Sequence, residues 1–209
     1  MNLQTRRFQI DGPAGTIEVL RDEPGESAAV RGTAVIAHPH PLFGGTMENK
    51  VVQTLARAFV QSGWRSLRFN FRGVGASQGT HDEGRGELED MLHVISSEAA
   101  EGELALAGFS FGAFVAASAV ARLWHQRPPE KIVLVGTAVS RFGVPALVHD
   151  AHERTLVAHG ELDDTVALAA VMDWARPQQL PVTVVPGGGH FFHGQLPLLK
   201  SLVARHLRS

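Results

Sequence analysis

From Ala34 onward the chain alternates short apolar runs with segments of helical length, and this alternation restricts the fold more than any other feature of the sequence. Ala34 to Ala37, Arg65 to Phe69, Leu104 to Ala107, Lys131 to Val135, Thr155 to Ala158 and Val182 to Val185 read as strands. Met47 to Gln61, Glu87 to Ser96, Phe111 to Leu123, Val166 to Trp174 and Leu196 to Leu207 read as helices. Each crossover must return the chain to the same end of a sheet, so the pattern predicts an α/β fold with a mostly parallel sheet covered by helices on both faces. Upstream, Arg6 to Ile10 and Thr16 to Leu20 flank the turn Asp11-Gly12-Pro13-Ala14-Gly15 and predict an antiparallel hairpin at a sheet edge. Together these segments give eight strands in one layer. Asp22 to Ser27 reads as a polar loop, and Gly136 to Glu153 as loop or a short irregular helix.

Bulk properties narrow the partners. The 209 residues fit one domain spanning 1–209. A 44% hydrophobic, 19% charged composition with a net charge of -2 argues against a disordered tail and against a polybasic surface for nucleic acid or anionic lipid. A small-molecule partner is the expectation, with no nucleic acid and no membrane; monomer and homo-oligomer both stay open. Met1 to Arg7 carries charge with no apolar segment behind it, and no later run approaches the roughly 20 apolar residues that span a bilayer, so a cytoplasmic protein is expected. With no cysteine there is no disulfide, thiol nucleophile or thiolate metal site.

The sharpest local signal is Gly108-Phe109-Ser110-Phe111-Gly112, directly after the apolar run Leu104 to Ala107 and directly before a helix. A G-x-S-x-G turn between strand and helix pushes the serine oxygen upward, and the small glycines leave room for that geometry. The bland alternative for the same five residues is an ordinary tight turn. A serine nucleophile needs a base, and the base needs an orienting acid. His190 lies in Pro186-Gly187-Gly188-Gly189-His190-Phe191-Phe192 after the last strand. Asp163 lies in His159-Gly160-Glu161-Leu162-Asp163-Asp164 after the preceding one, with Asp164 as the alternative acid. Three strand ends thus supply Ser110, Asp163 and His190 in the chain order Ser, Asp, His.

The amide of Phe111, at a helix N-terminus, is the first candidate donor to an oxyanion. The second comes from His38-Pro39-His40-Pro41-Leu42-Phe43-Gly44-Gly45, where the prolines have no amide hydrogen and leave His40, or alternatively Leu42. His38, His40, His81, His190 and His193 invite the thought of a metal, but an H-x-H pair in a proline-rich loop without an adjacent carboxylate is weak support for zinc. No metal and no cofactor are expected; His38 and His40 are read as shaping the loop through local hydrogen bonds. Asn70 to Gly79 carries three glycines, but its spacing does not match a dinucleotide or phosphate loop and acidic residues follow it. Arg72 is expected to pair with a carboxylate from Asp82 to Asp90. Phe43, Phe142 and Phe191 are candidates to line an apolar acyl pocket, whereas at least half of the phenylalanines near the site loops are expected in the core.

His38 to Lys50, Leu67 to Gly79, Leu106 to Gly112 and Pro186 to Gly194 together resemble the small bacterial α/β-hydrolases with an HPHPLxGG loop, related to the dienelactone hydrolase and S15-type peptidase groups. The similarity covers nearly the whole chain. It implies the α/β-hydrolase fold and the same triad: serine at Ser110 in GFSFG, acid at Asp163 in the GExD pattern, histidine at His190 in GxGHFF. The resemblance adds little about what is cleaved; a carboxylesterase-like serine hydrolase that cleaves a small ester, thioester or similar acyl compound through an acyl-enzyme is expected, with ester favoured over peptide because no extended subsite-building insertion is evident. A binding or structural protein that keeps the scaffold without turnover is the other class. Gly136 to Glu153 is short and no insertion is long enough for a cap domain, so an open, shallow pocket is expected.

Overall fold

A computed structural model describes residues 5–25 and 29–208. The loop expected from Asp22 to Ser27 falls partly on residues outside this range, as does the start of Met1 to Arg7. Eight strands form one sheet: β1 (Thr5–Gly12), β2 (Gly15–Asp22), β3 (Gly32–Ala37), β4 (Arg65–Phe69), β5 (Glu103–Phe109), β6 (Lys131–Val135), β7 (Thr155–Gly160) and β8 (Val182–Val185). Their order is β1-β2-β4-β3-β5-β6-β7-β8, with β1 and β2 antiparallel to their neighbours and β4 through β8 parallel. The hairpin therefore extends the sheet at one edge, and the crossovers build the rest.

Five helices cover the sheet: α1 (Lys50–Gln61), α2 (Arg85–Glu98), α3 (Phe111–Leu123), α4 (Leu168–Ala175) and α5 (Leu196–His206). Side chains alternate along each strand, and the two cores record this period. Ala34, Ile36, Ala105, Ala107, Val133 and Val135 pack with α1 and α5, whereas Val35, Ala37, Leu104, Leu106, Ile132 and Leu134 pack with α2, α3 and α4. Both faces are thus buried, which is why β3, β5 and β6 read as continuous apolar runs rather than alternating ones.

Helix ends differ from the expected ones where capping decides. α1 starts at Lys50 because the Asn49 side chain accepts the Val51 amide hydrogen at 2.9 Å, which leaves Met47 buried in the preceding loop. α2 starts at Arg85, where Glu87 accepts the Gly84 amide hydrogen at 2.8 Å. The segment after β6 is loop up to a 3-10 helix at His149–Arg154. Among the described residues no segment forms a cap over the carboxyl edge of the sheet.

Candidate active site

That edge gathers the chemistry. β5 ends at Phe109, and Ser110 follows at φ 58° and ψ -116° before α3 begins. The turn is held from below by the Ser110 amide, which donates to the Val135 carbonyl at 2.8 Å, and by the Ala113 amide, which donates to the Ser110 carbonyl at 3.0 Å. It is also held by crowding: a Cβ on Gly112 would collide with the carbonyl groups of Ala37 and His38, so only glycine lets α3 start this close to β3. α3 continues with Ala113, Ala116, Ala117 and Ala119, all buried, which keeps the helix tight on the sheet.

β7 and β8 deliver the other two groups. Val185 is followed by a glycine turn in which the Leu162 amide donates to the Gly188 carbonyl at 2.8 Å, locking the loops after β7 and β8 together. His190 then stands between the other two side chains: its Nδ1 is 2.7 Å from Asp163 Oδ2 and its Nε2 is 3.0 Å from Ser110 Oγ. Ser110, Asp163 and His190 are each at most 8% exposed. Asp163 Oδ1 accepts the amide hydrogens of Thr165 at 2.9 Å and Val166 at 2.7 Å. Burial works against its ionisation, but the bond from His190 and the Val166 amide outweigh it and hold the carboxyl below the usual range. Asp164 is exposed and accepts the Thr165 hydroxyl hydrogen at 3.3 Å, and among the described residues it makes no bond to His190.

The HPHP loop is rigid for reasons visible in its bonds. His38 is fully buried, with Nε2 accepting the Phe71 amide hydrogen at 3.0 Å and Nδ1 donating to the Pro39 carbonyl at 2.6 Å. Burial lowers its pKa from 6.5 to about 4. His40 Nδ1 accepts the Leu42 amide hydrogen at 3.2 Å, so of the two alternative oxyanion donors the Leu42 amide is already engaged. Phe111 is fully buried, with its amide at the first residue of α3. Arg72 makes a two-point contact with Asp90, at 3.0 and 2.7 Å, which ties the glycine-containing loop after β4 to α2. Among the described residues no group of three or more His, Asp or Glu side chains is arranged to hold a metal ion.

A cavity of about 330 Å³ opens above Ser110, and Phe43, Phe142 and Phe191 line it together with His40 and Phe111. Phe43 is 75% exposed and Phe191 44%, whereas Phe71, Phe109, Phe111 and Phe192 are buried in the fold. A larger cavity of about 620 Å³ lies between the β1–β2 hairpin and α1, and no serine or histidine lines it. Chemistry therefore points to the smaller one. Two groups at this edge are given no role by the motifs. His159, the penultimate residue of β7, is fully buried with Nε2 2.8 Å from the Val166 carbonyl and 3.5 Å from Asp163 Oδ2. Arg141 lines the cavity from the loop after β6. A histidine ending an apolar strand one turn before the acid is a signal for the first; nothing in the sequence singles out the second.

The family described as serine aminopeptidase, S33, matches residues 29–156. The chain belongs to this family. Its fold places it in the α/β-hydrolase superfamily as a serine-hydrolase-type member. It is similar to the Xanthomonas campestris protein XC6422, an α/β serine hydrolase without lid, at 33% identity and TM-score 0.85 over 100% of this chain and 95% of that one. An α/β serine hydrolase homologue from Coxiella burnetii is 36% identical, TM-score 0.85, over 99% of each chain. The uncharacterized protein RP471 of Rickettsia prowazekii is 41% identical over 121 residues, and the chain spans about half the length of that relative. No helix among the described residues is long and apolar enough to cross a membrane.

Proposed function

We propose that the protein is a carboxylesterase-like hydrolase of small acyl compounds in which Ser110 attacks, His190 moves the proton and Asp163 orients His190. The observation that carries this is His190 itself, bonded at once to a buried carboxylate and to the hydroxyl of a strained strand-to-helix turn. Asp163 on Nδ1 fixes the imidazole tautomer with its lone pair on Nε2, aimed at Ser110 Oγ. That nitrogen takes the hydroxyl proton as the oxygen bonds to the acyl carbon. The carbonyl oxygen gathers charge, which the Phe111 and His40 amides stabilise. The proton then passes to the leaving oxygen, the acyl-enzyme remains, and a water molecule repeats the sequence to release acid and restore Ser110.

Ester is favoured over peptide by the wall of the cavity. An aminopeptidase must meet the α-ammonium of its substrate. No aspartate or glutamate lines this cavity, and Arg141 would repel that charge. The finer kinship with dienelactone hydrolase and S15-type peptidases rests on the loop and elbow motifs. An active-site serine probe and an activated ester test the proposal together. Ser110→Ala is expected to abolish labelling and to cut turnover by at least about a thousandfold with the fold intact. Wild-type turnover in that variant, or no labelling of the wild type, would end it.

A further inference from the structure

The cavity above Ser110 carries a full positive charge, and no aspartate or glutamate is among the described residues that line it. Arg141 lines it, with the guanidinium carbon 5.9 Å from the centre of the Phe43 ring, which lines it too. Among the described residues Arg141 makes no ion pair, whereas Arg68, Arg72 and Arg154 all do. His40 adds a second donor. Its Nδ1 accepts the Leu42 amide hydrogen, so the one proton of the neutral ring sits on Nε2. Burial, then the neighbouring His81 and, more weakly, Arg141 disfavour the imidazolium and together outweigh the buried Glu87 carboxylate, which favours it, so the ring's pKa lies below the ordinary value. Phe43, Phe111, Phe142 and Phe191 make up much of the remaining wall. An aromatic pocket with a guanidinium and an imidazole N–H suits an apolar chain that ends in an anion.

We propose that the substrate is an ester bearing a carboxylate remote from the scissile bond, bound by Arg141 with His40 as the second donor. This rests on the esterase reading above and goes further by naming what the ester carries. A carboxylate on the acyl side and one on the alcohol side would make the same contact, so the test separates them. One pair of esters is mono-4-nitrophenyl adipate and its neutral methyl ester; the other is 4-butyryloxybenzoate and its neutral methyl ester. The Ser110→Ala variant supplies the background rate.

In wild type the anionic member of one pair should have the higher kcat/KM, and the pair that shows it tells which side carries the charge. Arg141→Gln should lower that anionic-to-neutral ratio by about tenfold, as the loss of a charge-assisted contact does. Arg141→Glu should invert the ratio and Arg141→Lys should keep part of it. Raising ionic strength should shrink the wild-type ratio without any substitution, because Arg141 is solvent-exposed. Turnover of the neutral esters with no anionic preference, or with a preference indifferent to Arg141 and to salt, would overturn the carboxylate proposal and leave the esterase reading standing. Failure of wild type to cleave any of the four would overturn the esterase reading and this proposal with it.

Discussion

Replacing Ser110 by alanine and by glycine measures how much strain the elbow stores. At φ 58° and ψ -116° the residue occupies a region that costs one with a Cβ about 1–3 kcal/mol. Alanine keeps the Cβ and glycine removes it, while both lose the hydroxyl bonded to His190. Their difference therefore isolates the backbone. Glycine gives back about 0.4–1 kcal/mol through the greater freedom of the unfolded chain. The net expectation is that Ser110→Gly is more stable than Ser110→Ala by about 1 kcal/mol, or about 2–4 °C in Tm for a domain of this size. Urea and thermal unfolding of the two variants side by side would read it, and both should lack esterase turnover. A more stable alanine variant would refute the claim that the turn holds its nucleophile under strain.

The two adjacent carboxylates should separate in kinetics: Asp163→Asn is expected to lower acylation by something on the order of ten thousandfold, and Asp164→Asn to keep most of the rate. Equal, mild losses on one activated ester would show that neither orients His190 alone. His38 should make stability acid-sensitive. Its folded pKa is about 4 against an ordinary 6.5, so below pH 6.5 the unfolded chain binds a proton that the native state refuses. That contribution is complete above pH 6.5 and is lost as pH falls towards 4, by up to about 3 kcal/mol. Urea midpoints between pH 7 and 4 should fall less steeply in His38→Gln than in wild type; parallel profiles would contradict the assignment.

The centre of the sheet was legible because β3, β5 and β6 are buried almost throughout and read as continuous apolar runs between helical segments. Local bonds set what period could not. The Asn49 cap shortens α1 by three residues from the expected start, and the polar loop expected from Asp22 begins one residue later because Asp22 still belongs to β2. Ser110, Asp163 and His190 were legible for a different reason. Each follows an apolar strand, and a parallel sheet sends every such end to the same edge, where the structure brings the three side chains within hydrogen-bond distance. Arg141 and His159 show the limit. Arg141 sits in a loop without period or motif, and its place over the cavity depends on how Gly136, at φ 54°, turns the chain past His190. His159 stands just past the expected strand end at Ala158, and its place beside Asp163 appears only once β7 runs on to Gly160 and its Nε2 bonds the Val166 carbonyl.

The bonding of Asp163 explains why so small a change as Asp163→Asn should be severe. Its oxygens have separate duties: Oδ1 takes two backbone amide hydrogens, and Oδ2 faces His190. An asparagine carries one acceptor and one donor end. Two fixed N–H groups at the Oδ1 position demand the acceptor there, so the side-chain NH₂ is forced towards His190. Facing a donor, Nδ1 must give up its proton and accept instead, which moves the ring proton to Nε2. Nε2 then presents a hydrogen to Ser110 rather than a lone pair and cannot take the hydroxyl proton. The fold has no reason to notice, since every backbone bond in the turn survives. The same two amides that make the turn stable are thus what turns an isosteric substitution into the wrong tautomer.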